Sequence, residues 1–148
     1  MNCLATYRLY KGFVSMGQSA ALLAARLILA YGFFHPAMNK WSDMTATTQW
    51  FGSLGMPFPA LNAYMAATTE LSGVILLILG LGTRIISVFL IVVMIVAIVT
   101  VHIGNGFDVA NNGYEIPLYY IIFLSLLITH GAGRFSFDRL WLERPEQA

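Results

Sequence analysis

The chain has 148 residues, of which 58% are hydrophobic and 10% are charged, and its mean hydropathy is +0.72. About a quarter of the residues of a soluble domain are charged, so this composition indicates a protein that resides in lipid. The formal net charge of +1 excludes the basic surface that nucleic-acid binding requires. The single cysteine, Cys3, excludes an internal disulfide framework and a cysteine-based metal cluster.

Four apolar stretches predict an all-α integral membrane protein with a single domain. They cover residues 19–38, 59–81, 85–101 and 114–130. A helix needs about 17–25 residues to span a bilayer, so the first three stretches suffice and the fourth is marginal. Strands with open edges leave backbone groups unpaired in lipid, which leaves helices as the spanning elements. The expected architecture is a four-helix bundle in the lipid bilayer.

The basic residues predict the orientation of this bundle. With four spans, one side of the membrane collects Arg8, Lys11, Arg84, Arg134, Arg139 and Arg144, and the other side collects Lys40. Basic residues are enriched on the cytoplasmic side, so both termini are expected in the cytoplasm.

Glycines mark the expected ends of the helices. The short turn Gly80–Arg84 predicts that the second and third helices are antiparallel neighbours. Gly131 and Gly133 predict the end of the fourth helix, after which Ser136 or Asp138 is expected to cap a short terminal helix.

Glu70 lies near the middle of the second stretch. A charge at the bilayer centre costs about 2.5–3.5 kcal/mol even on insertion scales, so such a residue usually has a partner and often a function. Its helical face carries small residues that favour close helix packing, namely Ala63, Ala66, Ala67 and Gly73. Arg26 is the predicted partner, because at 1.5 Å per residue the two positions differ in depth by about 6 Å. The pair either sets the helix register or handles protons or a ligand.

A second polar group is expected near the outer surface, formed by His35, Lys40, His102 and Glu115. These residues come from three helix ends at a similar depth, which predicts that they line one ligand-binding mouth. Each residue by itself is also typical of a helix cap or an interfacial position. Two histidines and a carboxylate form a reasonable metal-ligand set, although their spacing matches no local metal motif.

Several of these features occur in the order found in one protein family. They are Arg26, His35 and Lys40, Glu70 with Gly73, the turn Gly80–Arg84, Gly113-Tyr114-Glu115, and the run Gly131–Asp138. From Ala20 to Asp138 the chain resembles the DoxX family. One departure is His35-Pro36, where the family usually has His-Gly followed closely by a lysine. The resemblance implies a four-helix, multi-pass protein of the bacterial or archaeal plasma membrane. It also implies relatives in quinone-linked and stress-related oxidoreductase complexes.

Three functions follow as hypotheses. The favoured one is a redox-associated component that binds a quinone between the first two helices, with Arg26 and Glu70 as catalytic proton donors. The sequence carries no haem, flavin or iron–sulfur motif, so electrons are expected from a soluble or membrane redox partner or from a thiol substrate. The second hypothesis is a non-catalytic membrane anchor or assembly partner. The third is a small-solute or proton pathway, which four short helices accommodate only in a homo-oligomer.

Overall fold

The computed structural model describes the backbone of residues 3–141 and the side chains of residues 14–140. Throughout this part of the chain the regular elements are helices, as the hydropathy predicts. They are α1 (Cys3–Ser42), α2 (Met44–Ser53), α3 (Pro59–Leu79), α4 (Thr83–Ala97), α5 (Glu115–His130) and α6 (Phe137–Trp141). A π-helical turn, Ile98–His102, prolongs α4, and 3-10 turns follow at Ile103–Asn105 and Val109–Asn111.

Three helical runs in the described residues are long and apolar enough to cross a membrane. They are Val14–Ser42, Pro59–Leu79 and Thr83–Asn105. The first and third runs extend beyond the stretches 19–38 and 85–101 that hydropathy suggested. The fourth apolar helix, α5, has 16 residues. It rises about 24 Å, which is less than the roughly 30 Å of a bilayer's hydrocarbon core.

The helices form a bundle in which α1 packs on α3, α3 on α4, α4 on α5, and α5 on α1. The contacts between α1 and α3 and between α4 and α5 are the most extensive. The buried apolar core consists of Leu29, Ala30, Phe33, Val74, Leu77, Ile86, Leu90, Leu124 and Leu127. The packing of α3 on α4 confirms that these two helices are neighbours.

The turn between α3 and α4 requires glycine. Gly80 and Gly82 have φ angles of 66° and 57°, in the left-handed region that other residues rarely adopt. The N–H of Gly80 donates to the carbonyl of Leu76 and ends α3. The turn is short enough to keep α3 and α4 together at this end of the bundle, which we call the Arg26 end.

α2 forms from the aromatic-rich connection between α1 and α3. The carboxylate of Asp43 caps it by accepting a hydrogen bond from the N–H of Ala46, at 2.8 Å. Thr47 and Phe51 are buried, and α2 lies against α3. This packing places α2 at the opposite end of the bundle, which we call the Lys40 end.

Candidate ligand-binding cavity

The carboxylate of Glu70 is buried in an ion pair with Lys40. The ammonium of Lys40 donates to Oε1 and Oε2 of Glu70 at 3.0 and 2.8 Å. Glu70 is 3% exposed and the Lys40 side chain is 16% exposed. Ala63, Ala67 and Gly73 are buried on the same side of α3. The prediction that this face points into the bundle is confirmed.

The predicted pair between Arg26 and Glu70 is wrong. Arg26 instead donates to the carbonyl of Leu77, at 3.2 Å, and to the carbonyl of Phe135. The reason is that side chains on a helix lean toward its N-terminus. On α1 this lean carries Arg26 away from Glu70 and carries Lys40 toward it. On the antiparallel α3 the same lean directs Glu70 toward the Lys40 end. The sequence prediction compared only the depths of the Cα atoms of Arg26 and Glu70, and it therefore named the wrong basic partner.

Arg26 closes the other end of the bundle. It is fully buried, and Leu77 belongs to the last turn of α3, where carbonyls lack intrahelical partners. A cation at a helix C-terminus is also favoured by the helix dipole. Nε of Arg26 has no acceptor among the described residues. The guanidinium therefore joins α1 to the end of α3 and to the segment that follows α5.

That segment is held in place by Asp138. Its carboxylate accepts hydrogen bonds from the N–H groups of Gly82 and Thr83, at 2.6 and 3.0 Å, and so caps the N-terminus of α4. The N–H of Asp138 donates to the carbonyl of Gly80 at 2.9 Å. Of the two caps proposed from the sequence, Ser136 is the one that accepts from the first turn of α6, from Arg139 N at 3.4 Å. The role of Asp138 between distant segments had no local sequence signal.

A cavity of about 490 Å³ lies beside the ion pair. Its wall is mostly apolar and is built from α1, α2, α3, α4 with its π-helical turn, and α5. The titratable side chains in the wall are Lys40, Glu70, His102 and Tyr120. Pockets of roughly 300–1,000 Å³ with apolar walls and a few polar groups are typical of small-molecule sites.

Part of the cavity wall on α3 and α4 is exposed at the outer surface of the bundle. Four lining residues, Met65, Phe89, Val92 and Val96, are 38–58% exposed. The two helices approach closely at Gly73, where an added Cβ would lie 2.8 Å from a methyl group of Leu90. From that point the groove runs toward the Lys40 end. The exposed lining residues are apolar, and they belong to helical runs that are long and apolar enough to cross a membrane.

The four outer residues proposed from the sequence do not form one site. Lys40 and His102 line the cavity, whereas His35 is exposed and contacts the rings of Tyr31 and Phe34. Glu115 holds the preceding loop, because its carboxylate accepts from the N–H of Val109 and the hydroxyl of Tyr119. The single mouth expected from all four residues is therefore wrong.

The structure does not assemble the metal-ligand set either. In the described side chains, residues 14–140, no group of three or more His, Cys, Asp or Glu is placed to hold a metal ion.

Two cavity residues were missed by the sequence analysis. The ring of Tyr120 packs over Gly32, where an added Cβ would overlap its hydroxyl. Trp50 of α2 is 46% exposed and lines the cavity near its mouth. A glycine inside α1 was the available signal for Tyr120, since a missing side chain in a helix often accommodates a large neighbour.

Comparison with known proteins identifies the family. The DoxX family profile matches residues 21–103, which is more than half of the chain. The chain belongs to the DoxX family. With its membrane-length apolar helices, this DoxX protein is a membrane protein.

Three proteins illustrate the range of relatives similar to this chain. An uncharacterised protein of Haemophilus influenzae is 35% identical over 84% of this chain and 85% of its own. The protein named "Putative oxidoreductase CatD" of Bacillus subtilis is 34% identical over 76% of this chain and 80% of its own. Inner membrane protein YphA of Escherichia coli is 32% identical over 80% and 88%. No solved structure matches this chain.

Proposed function

We propose that this DoxX protein is a redox-associated component of the bacterial plasma membrane that binds a quinone in the cavity beside Lys40 and Glu70. The observation that carries the proposal is the buried ion pair in the wall of an apolar cavity whose exposed lining residues on α3 and α4 are apolar. Electrons are supplied or accepted by a separate soluble or membrane redox partner. The name of the Bacillus subtilis relative supports a redox role.

The shape and polarity of the cavity favour a neutral amphiphile. A quinone has an apolar tail and a flat, uncharged ring that carries carbonyl oxygens. Such a molecule dissolves in the bilayer and can reach the groove between α3 and α4 without crossing water. The aromatic side chains of Phe33, Trp50, Phe51, Phe89 and Tyr120 in the wall offer surfaces for its ring.

The ion pair supplies polar chemistry without net charge. The ammonium of Lys40 has donors for a quinone carbonyl, and the carboxylate of Glu70 accepts from a quinol hydroxyl. Since each charge is neutralised by the other, an anionic or cationic ligand would have to displace one partner. A neutral ligand only adds hydrogen bonds. Lys40 and Glu70 are thus the proposed ligand-contacting pair. Arg26 does not line the cavity and has no proposed role in binding the ligand.

A transmembrane pathway receives less support from the geometry. None of the residues that hold Arg26 lines the cavity. In the described part of the chain Arg26, Gly80 and Ser136 pack closely at the Arg26 end. A pocket closed at one end is suited to binding a ligand rather than to conducting it.

We also propose that the Arg26 end faces the cytoplasm. Arg84, Arg134 and Arg139 begin or follow helices at this end, whereas Lys40 lies at the other. The cavity then lies toward the outer leaflet.

The proposed function is tested by measuring quinone binding through Trp50. Variants Trp41→Phe and Trp141→Phe are combined to leave Trp50 as the single tryptophan, which is excited selectively at the red edge of its absorption in protein reconstituted in nanodiscs. A short-chain benzoquinone is expected to quench Trp50 in a saturable manner. Glu70→Gln or Lys40→Gln is expected to raise the apparent Kd about tenfold, which corresponds to one charge-assisted hydrogen bond.

The matched control is Glu115→Gln, which makes the same chemical change at a carboxylate outside the cavity wall. Its Kd is expected to equal that of the parent protein. Quenching that rises linearly and is identical in all variants would mean that quinone only partitions into lipid. That result would reject the quinone site and favour the membrane-anchor hypothesis.

A further inference from the structure

The π-helical turn at the end of α4 brings a histidine into the cavity wall. Thr100, Val101 and His102 belong to this turn, Ile98–His102, and all three line the cavity. A π-helical turn inside an α-helix shifts the following side chains around the helix axis, and such turns occur frequently at functional sites. His102 is half-buried at this position.

The hydrogen bond of His102 determines which ring nitrogen carries a proton. Nδ1 lies 2.8 Å from the carbonyl oxygen of Asn112. A carbonyl oxygen only accepts hydrogen bonds, so Nδ1 must be the donor. The same carbonyl accepts from Nδ2 of Asn105 at 3.2 Å, and Asn112 itself has a left-handed φ of 58°. The loop thus holds the ring through Nδ1, while His102 lines the cavity.

We propose that His102 is the group in this cavity that distinguishes the oxidised from the reduced form of the ligand, through the charge of its imidazole. The inference rests on the quinone-binding function proposed above. In the neutral ring Nε2 accepts a hydrogen bond, so it pairs with a quinol hydroxyl. In the protonated ring Nε2 donates, so it pairs with a quinone carbonyl.

Most of the other titratable groups near His102 are already bound to partners within the protein. The other titratable groups in the cavity wall are Lys40 and Glu70, which bind each other, and the phenol of Tyr120. Two carboxylates lie nearby along the chain, Asp108 in the neighbouring loop and Glu115 at the start of α5. Asp108 accepts from the N–H of Ala110, and Glu115 is bound to Val109 N and Tyr119.

Opposite pH dependences for the two ligand forms follow from this arrangement. Acidification converts Nε2 from an acceptor to a donor. The affinity for quinone is therefore expected to rise by about tenfold between about pH 8 and about pH 5, and the affinity for quinol to fall by a similar factor. A histidine with a purely structural role would change the two affinities in the same direction.

The experiment compares both forms of one short-chain benzoquinone. Isothermal titration calorimetry of the nanodisc-reconstituted protein measures the Kd at both pH values, under anaerobic conditions for the quinol. The His102→Gln variant is expected to bind both forms with no opposed shifts, because an amide donates and accepts at either pH. The matched control His35→Gln changes an exposed histidine outside the cavity wall and is expected to retain the opposed shifts.

Each outcome decides the proposal. Opposed shifts in the parent protein that vanish only in His102→Gln support it. Shifts of the same sign in the parent protein overturn it, and this part of the test needs no variant to fold. Opposed shifts that persist in His102→Gln also overturn it while leaving the quinone site intact. Absence of saturable binding for either form would reject the quinone site and this inference with it.

Discussion

The two ends of the bundle each bury a basic side chain of α1, and they satisfy it in different ways. Arg26 is fully enclosed and donates to main-chain carbonyls of α3 and of the segment after α5. Lys40 binds a carboxylate, keeps 16% of its side chain exposed, and borders a cavity. The difference teaches that in this protein the buried base that lines the cavity, Lys40, belongs to the candidate site, whereas Arg26, which binds main-chain carbonyls and does not line the cavity, does not.

The largest expected effect concerns the closed end. Arg26→Gln removes most of the donors that satisfy the carbonyls of Leu77 and Phe135. Unsatisfied buried acceptors cost about 1–3 kcal/mol each, so we expect a loss of about 3 kcal/mol of unfolding free energy. The loss is measured by thermal unfolding of the purified protein in detergent. Arg84→Gln, at an exposed arginine of the same end, is expected to unfold like the parent. Equal effects of the two substitutions would contradict the role of Arg26 in joining α1 to the end of α3 and to the segment after α5.

A smaller effect is expected at the open end. Lys40→Met leaves Glu70 buried without its partner. Removing one partner of a fully buried pair costs about 3–5 kcal/mol, and because Lys40 is partly exposed we expect a loss of about 2 kcal/mol. The double variant Lys40→Met/Glu70→Met removes both charges and is expected to lie within about 1 kcal/mol of the parent, since apolar replacements of buried pairs are often neutral. Thermal unfolding of Lys40→Met, Glu70→Met and the double variant completes this double-mutant cycle. A double variant as unstable as the sum of the Lys40→Met and Glu70→Met variants would show that the two side chains contribute independently, which would contradict the coupling expected of the ion pair.

The smallest expected effect is at the N-terminus of α4, which is capped by Asp138 from a distant part of the chain. Asp138→Ala removes the acceptor for the N–H groups of Gly82 and Thr83, which is expected to cost about 1 kcal/mol. Asp108→Ala removes a comparable cap from an exposed 3-10 turn at the other end and is expected to cost a few tenths of a kcal/mol. The two melting temperatures are compared side by side. A larger shift for Asp108 would reverse the ranking of the two ends.

Local signals allowed a substantial part of this structure to be predicted. The buried face of α3 follows from small residues at helical spacing around Glu70, and the turn at Gly80 and Gly82 follows from the need for left-handed backbone. The cap at Ser136 accepts a hydrogen bond from the N–H of Arg139, three residues further along the chain. Each of these features depends on neighbours along the chain, so the sequence carries the information directly.

The candidate site was only partly predictable. Glu70 was recognised as an ionisable residue in an apolar stretch, and Lys40 and His102 as polar residues at helix ends near the outer surface, but Glu70 was paired with the wrong base. His35 and Glu115 were grouped with His102 because their depths are similar, although depth says nothing about the direction of a side chain around the helix axis. Tyr120 and Trp50 carried no signal strong enough to place them in the cavity.

The sequence by itself determined the all-helical class, the membrane environment and the DoxX family, because composition, apolar periodicity and ordered motifs are properties of the chain. The tertiary structure decided that Lys40 holds Glu70, that Arg26 holds carbonyls, and that a cavity lies beside the ion pair. Those outcomes depend on how side chains lean along antiparallel helices and on where two helices approach or separate. Such relations arise only after the helices have packed.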